Sequence, residues 1–130
     1  MSARETVGDL AGMLAGMAPS LDARRWAFMA VEGEAPAEAF ALIREDEGLA
    51  AILPVDDGDF ARITLMVYSA LDGVGLTAAV ATALAEAGIA CNVVAGLHHD
   101  HLFVPRERAE EALEALRDIA QRSAAAGGAG

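Results

Sequence analysis

All three histidines of the chain fall within four consecutive residues, His98-His99-Asp100-His101. Imidazole and carboxylate groups can ligate a transition metal, and imidazole titrates near neutral pH. The spacing restricts that chemistry. On an extended chain His99 and His101 face one way and His98 and Asp100 the other. At most two imidazoles then converge, so a metal would need ligands from elsewhere, such as a second subunit. A polar hairpin in which His101 or Asp100 bonds to its own loop accounts for the same residues, and no cofactor is expected. His99 and His101 are the pair to watch if a metal binds.

The second candidate is the stretch Ser69-Ala70-Leu71-Asp72-Gly73-Val74-Gly75-Leu76-Thr77. It opens a helix, and the first N–H groups of a helix, together with its dipole, favour an anion such as a carboxylate. Asp72 could face an ammonium group. Asn92, with Val93 beside it, is read on a neighbouring strand, and its amide can bond either end of an amino acid. A plainer reading leaves Gly73 and Gly75 as turn formers, Asp72 as a cap and Asn92 as a satisfied polar group. Cys91 has no cation or helix start beside it and reads as an inert thiol. Ser69 lacks the G-x-S-x-G setting of a hydrolase nucleophile. Glu45, Asp46, Glu47, Asp56, Asp57 and Asp59 cluster on two turns, as solvated loop carboxylates do. The chain reads as non-enzymatic.

Composition narrows the classes further. The chain has 130 residues, with 9 basic against 20 acidic side chains and a net charge of −11. Every basic residue is Arg, so Schiff-base and P-loop lysine chemistry are excluded. The acidity disfavours nucleic acid and anionic membranes, because phosphate binding needs clustered cations. One cysteine permits neither an intrachain disulfide nor a cysteine-based zinc site. Met1 to Asp9 lacks the apolar centre of a signal peptide, and no uncharged run reaches the ~18 residues of a membrane span. These features predict a cytoplasmic protein. Hydrophobic residues make up 55% and aromatics only 5%, so the core is aliphatic.

The elements that position these residues are read from periodicity. Thr6 to Met17 has apolar residues at helical spacing, ending at Pro19. Trp26–Val31 and Phe40–Arg44 read as strands, and Leu49–Leu53 as a third strand or a short helix. The acidic, glycine-containing Pro54–Asp59 reads as a boundary between halves. Phe60–Tyr68 alternates, with Ile63, Leu65 and Val67 on one face and Arg62, Thr64, Met66 and Tyr68 on the other. That second face carries large residues, so it is expected to be covered in part, with another subunit as one candidate cover. Leu76–Ala87 reads as a helix buried on most sides, stopped at Gly88. Ile89–Ala95 and His101–Val104 read as strands, and Pro105 as the first residue of a last helix. Ala109, Ala112, Leu113, Leu116 and Ile119 form the apolar stripe of that helix. Ser123–Gly130 reads as a frayed tail.

Strand, helix, strand, strand, helix is a split βαβ pattern lacking its last strand. An open edge invites pairing, so a strand from the first half or from another chain is expected to complete the sheet. The first half reads as the same unit without its first strand.

The stretches Ser69–Thr77 and Leu84–Val94 resemble the ACT domain, with Gly75 in the place of the loop glycine and Gly88-Ile89-Ala90-Cys91-Asn92-Val93 leading into the second strand. Val74 departs from the pattern, since many ACT domains have Pro there. Arg62–Leu65, Ser69–Leu71, Cys91–Val94 and His99–Pro105 look most like small bacterial tandem-ACT proteins of unassigned function, similar in turn to the animal cytosolic arginine sensors. The resemblance covers Phe60 to Leu116 well and the first half weakly. It implies an α+β, ferredoxin-like βαββαβ fold built from tandem degenerate repeats with strand complementation. The expected divisions are residues 1–57, an ACT domain at 58–122 and a tail at 123–130. It also implies a homodimer that binds a small amino acid as a regulatory signal at Ser69, Leu71, Asp72, Gly73, Val74, Gly75, Leu76, Thr77, Asn92 and Val93. The alternative is a protein–protein interaction module whose ligand site is vestigial.

Overall fold

The computed structural model of the chain describes residues 9–68 and 73–129. Three helices and seven strands run in the order α1 Leu10–Ala15, β1 Pro19–Leu21, β2 Trp26–Ala30, β3 Ala41–Glu45, β4 Gly48–Pro54, β5 Phe60–Leu65, α2 Leu76–Glu86, β6 Asn92–Ala95, β7 Asp100–Pro105, α3 Ala109–Ala129. All strands join one antiparallel-paired sheet in the order β3-β4-β2-β5-β7-β6, with β1 also paired to β5.

The back half has the expected strand, helix, strand, strand, helix order, and the strand that completes it comes from the same chain. β1 pairs antiparallel with the second part of β5, Pro19 opposite Leu65 and Leu21 opposite Ile63. The resulting order β6-β7-β5-β1 is that of a ferredoxin-like α+β sheet. The sequence reading does not identify this strand, because three residues beginning with Pro carry no visible alternation. Pro is tolerated at the first position of a strand. The Asp22 N–H donates to the Arg62 carbonyl and the Met66 N–H to the Met17 carbonyl, extending the join at both ends.

The helical face of this sheet holds the main core. Ala61, Ile63 and Leu65 of β5 and Leu102 and Val104 of β7 meet Leu76, Val80 and Leu84 of α2 and Ala112, Leu113 and Leu116 of α3. Met13 and Met17, from the first half, are buried in the same cluster. Helix α1 is short, and the Asp9 carboxylate caps it by accepting from the Gly12 N–H at 2.8 Å. Its packing partner is α3, so the first half lends both a strand and a helix to the second.

Several expectations need correction. Helix α2 buries one stripe only; Thr77, Ala78, Thr82, Ala85 and Glu86 face solvent. Its exposed side mixes two alanines with Thr77, Thr82 and Glu86, and alanine reads as apolar in sequence but tolerates water. The strand expected over Ile89–Ala95 begins at Asn92, because the residues just before it complete the stop of α2. Gly88 there has φ +73°, and the Ile89 N–H bonds the Leu84 carbonyl at 2.9 Å. Pro105 is the last residue of β7, opposite Phe60, and a 3-10 turn at Arg106–Arg108 precedes α3. Helix α3 continues to Ala129 through the segment expected to fray. Pro19 opens a strand, and the described helix ends at Ala15; residues 6–8 of the expected first helix lie outside the described residues.

Candidate functional site

Two faces of β5 lead to two different sets of candidate residues. At its C-terminal end the chain passes through the loop to α2. Ser69, Leu71 and Asp72 lie outside the described residues. Gly73 is half-buried and Val74 is exposed. Gly75 takes φ +104° as the N-cap of α2, and among the described residues no side chain caps the helix there. Asp, Asn, Ser or Thr at an N-cap usually satisfies one of the first N–H groups; a glycine has no side chain to do so. Leu76 is buried in the core and Thr77 is exposed. A side chain at position 75 would meet Leu10 Cδ2 at 3.2 Å, so Gly75 abuts α1. The start of α2 therefore lies where the first half touches the second.

Asn92 and Val93 are placed by the register. Val93 pairs with Leu102 and faces the helices. Asn92 pairs with Phe103, which pairs with Arg62, and it is exposed on the opposite face. β7 lies between β5 and β6, so the strand carrying Asn92 is not β5's neighbour. Leu65, where the loop departs, aligns through Asp100 with Ala95. Asn92 is three residues further along, about 10 Å at ~3.3 Å per residue. Within one chain the fold does not bring Asn92 to the loop.

The other face of β5 carries a cluster that the sequence reading only half anticipates. Arg62 is covered there by Trp26 and Phe40 of the first half. The Arg62 guanidinium sits 4.6 Å from the Trp26 ring centroid and 4.8 Å from that of Phe40. Its Nη2 donates to Asp22 Oδ2 at 3.1 Å. Arg24 grips the same carboxylate through Nε and Nη2, each at 3.0 Å. Arg24's hydrogen bonds, with help from Arg62, hold the Asp22 carboxyl down at a pKa of about 2 against the opposing effect of burial. Burial lowers the pKa of Arg62 and Asp22 raises it. Trp26, Ile52 and Phe103 form a second buried core, with Phe40 and Phe60 packed on it. Among the described residues Trp26 Nε1 has no hydrogen-bond acceptor. The rings of Phe40 and Phe103 stand edge-on to it at 5.7 and 5.9 Å, a setting in which an indole N–H can meet a ring face.

The histidines complete this face. Thr64 lies opposite His101 in the ladder, and its Oγ1 is 3.0 Å from His101 Nδ1. His101 touches Phe40 at 4.8 Å between centroids, and Tyr68 touches His99 at 4.8 Å. As alternation requires, His99 and His101 share a side, their centroids 6.4 Å apart. Asp100 is buried on the other. Burial lowers the His101 pKa, and the charge of Arg62 adds to that, which favours the neutral ring. No group of three or more His, Cys, Asp or Glu residues that could hold a metal occurs among the described residues. Cys91 is half-buried, and burial pushes its thiol pKa up, which agrees with an inert reading. The signal for this cluster in sequence is limited to Arg62 and Thr64 on a face with large neighbours; Asp22, Trp26 and Phe40 give no hint of their destination.

The fold and the loop-to-helix site together define an ACT-type architecture, and comparison with known proteins agrees. Two family models described as ACT domain match residues 61–118 and 5–68. The chain belongs to the ACT domain family, whose members are regulatory modules that commonly bind small amino-acid ligands and dimerise. A crystal structure of a Vibrio cholerae protein of unknown function, described as a possible transport protein, is 42% identical and superposes with a TM-score of 0.75. That match covers 85% of this chain and 95% of the other. An Agrobacterium tumefaciens protein is 22% identical with a TM-score of 0.59, over 73% of this chain and 81% of the other. The ligand-free regulatory subunit of aspartate kinase from Thermus thermophilus is 13% identical with a TM-score of 0.61, over 80% and 97%. The last two show likeness of fold. No curated protein matches the chain, and no described helix is long and apolar enough to cross a membrane.

Proposed function

We propose that this chain is a non-enzymatic, cytoplasmic regulatory protein that binds a small amino acid at the β5–α2 loop, residues 69–77, and acts as a homodimer. The observation that carries the reading is the N-terminus of α2, with a glycine at its N-cap, at the joint between α1 and the back half. Free N–H groups there favour a carboxylate, and occupancy would bear on both halves at once. Asn92 and Val93 lie on β6, an open edge of the sheet, and join the site only if a second copy packs against that edge.

Thermal-shift screening against the twenty amino acids tests this. One amino acid should raise Tm, and the rise should disappear in Asp72→Ala. Loss of the rise in Asn92→Ala as well would place the site between two copies. At a ligand concentration of 100 Kd the stabilisation is about 2.7 kcal/mol, a shift of several degrees in a domain of this size.

A second reading has its own support. Phe28, Met29, Leu42 and Ile43 are exposed on the first-half strands, as in a protein-interaction module with a vestigial ligand site. A flat screen, with a protein partner captured through these strands, would favour it.

A further inference from the structure

We infer that the exposed apolar face of β2, β3 and β4 is a docking surface for one basic, amphipathic helix of a partner protein. β2 meets β5 only at Phe60, the end of β5 opposite the β5–α2 loop. The surface is therefore separate from the proposed ligand site, and the two proposals fail independently.

Strand register builds a cradle. Met29, Ala51 and Leu42 form one row across the three strands. Ala27 and Leu53 form the row on one side of it, and Val31, Leu49 and Arg44 the row on the other. Alternation puts these rows on a single face. It is the face that carries α2 and α3 over the back half, because Trp26, one residue before Ala27, pairs with Phe60 on the opposite face. Ala51 and Leu53 are buried yet belong to neither of the two cores. They form a floor on β4, and the half-exposed Met29 and Leu42 stand on either side as walls.

The dimensions select a helix. Neighbouring strands lie about 4.8 Å apart, so the walls on β2 and β3 are about 10 Å apart. One α-helix with its side chains is about 10–12 Å across. The seven residues of β4 extend about 23 Å, the length of about four helical turns. A stable contact between subunits needs about 800 Å² from each partner, more than a strip of this size offers.

The ends of the cradle set the charge of the partner. Where β2 and β3 end and β4 begins, Glu32, Glu34, Glu45, Asp46 and Glu47 are exposed beside one cation, Arg44. At the other end Glu38, Asp56 and Asp57 are exposed, and the nearby Arg25 bonds the Gly58 carbonyl through Nε at 2.7 Å. Among the described residues none of these carboxylates forms an ion pair. A second copy docked face to face would bring acidic ends together. A helix with Lys or Arg flanking its apolar stripe meets them with opposite charge.

The test is an amide NMR titration of the full chain with a synthetic helix of about 15 residues, leucine at every third or fourth position and lysine at the rest. A counterpart with glutamate in place of lysine is the control. The lysine peptide should bind with a Kd below about 1 mM and shift the amides of Met29, Leu42 and Ala51. Met29→Ser combined with Leu42→Ser should weaken it at least tenfold, and both side chains are exposed enough for the fold to survive the change. Glu45→Gln combined with Glu47→Gln should weaken it about threefold and flatten its dependence on salt. The glutamate peptide should bind at least tenfold more weakly. No binding of the lysine peptide at about 1 mM, or wild-type affinity in the double serine variant, would overturn the proposal. Equal binding of the two peptides would overturn the basic partner. Shifts at Met29 and Leu42 that grow with protein concentration alone would assign the face to a second copy and overturn the helix. None of these outcomes bears on the amino-acid screen of the loop.

Discussion

The β6-β7-β5-β1 part of the sheet and the β3-β4-β2 part are made of similar strands but are finished differently. In the first, one face is sealed by α2 and α3 and by α1 borrowed from the front of the chain. In the second, Met29, Ala51 and Leu42 align across three strands. Ala51 is 1% exposed, while Met29 and Leu42 are 48% and 50% exposed. The two large side chains flank the alanine, and each keeps about half its surface in water. Having given its helix away, the first half has none left for its own strands. The difference shows that tandem units of this kind need not be equivalent. One is the folded body, and the other supplies its missing parts and presents an apolar surface.

This contrast predicts a graded series of mutational effects. Phe103 is fully buried where the two halves meet, under Trp26, Phe28 and Phe40. Phe103→Ala should cost about 3–5 kcal/mol in urea unfolding, and a single transition should persist if the halves fold as one. Leu84→Ala, in the helical core, should cost about 2–4 kcal/mol. Gly58→Ala should cost about 2 kcal/mol or more, because the new Cβ would clash with the Trp26 carbonyl oxygen. That contact is with backbone and cannot be relieved by a rotamer change.

Acid should act on the joint between the halves. The His101 pKa is lowered by burial and by Arg62. Below about pH 6.5, the usual histidine value, the unfolded chain therefore takes up a proton more readily than the folded one. The stability from a neutral His101 is complete above that pH and is lost as pH falls towards the lowered folded value. His101→Gln should flatten this limb of a plot of stability against pH. Asp22 acts in a lower window. Its contribution is complete above its ordinary value of 3.8 and is lost as pH falls towards about 2; Asp22→Asn should remove that limb.

The smallest effects belong to the uncovered strands. Met29→Ser and Leu42→Ser should each change stability by less than about 1 kcal/mol while reducing self-association on size exclusion. A cost of about 2 kcal/mol or more would mean that these side chains are buried in solution and would contradict an uncovered face.

The back half was legible because its signals are local. Leu76, Val80 and Leu84 mark α2 at helical spacing, Gly88 supplies the stop, and alternation from Phe60 to Leu65 marks β5. The need for a donated strand follows from counting elements, but its identity does not. β1 is three residues long, and its place is set by backbone pairing with β5 rather than by side-chain pattern. The loop was legible as a helix start, and the opposed faces of the histidine run followed from period-2 geometry. The Asp22–Arg62–Trp26–Phe40 cluster was not legible. Its members are separated by up to 40 residues and meet only because β2 and the approach to β3 fold across β5. Asn92 was placed beside the loop on the assumption of adjacent strands, and the intervening β7 separates them.

The central claim is that β1 is an integral strand of the back-half sheet, which makes the two halves one unit and sets α1 against the β5–α2 loop. Native-state hydrogen exchange at Asp22 and Met66, whose N–H groups bond across this join, tests it most directly. The account predicts that these amides exchange only through global unfolding, with the same protection free energy as the β5–β7 ladder. Rapid exchange at Asp22 and Met66 while Leu102 and Val104 stay protected would contradict it.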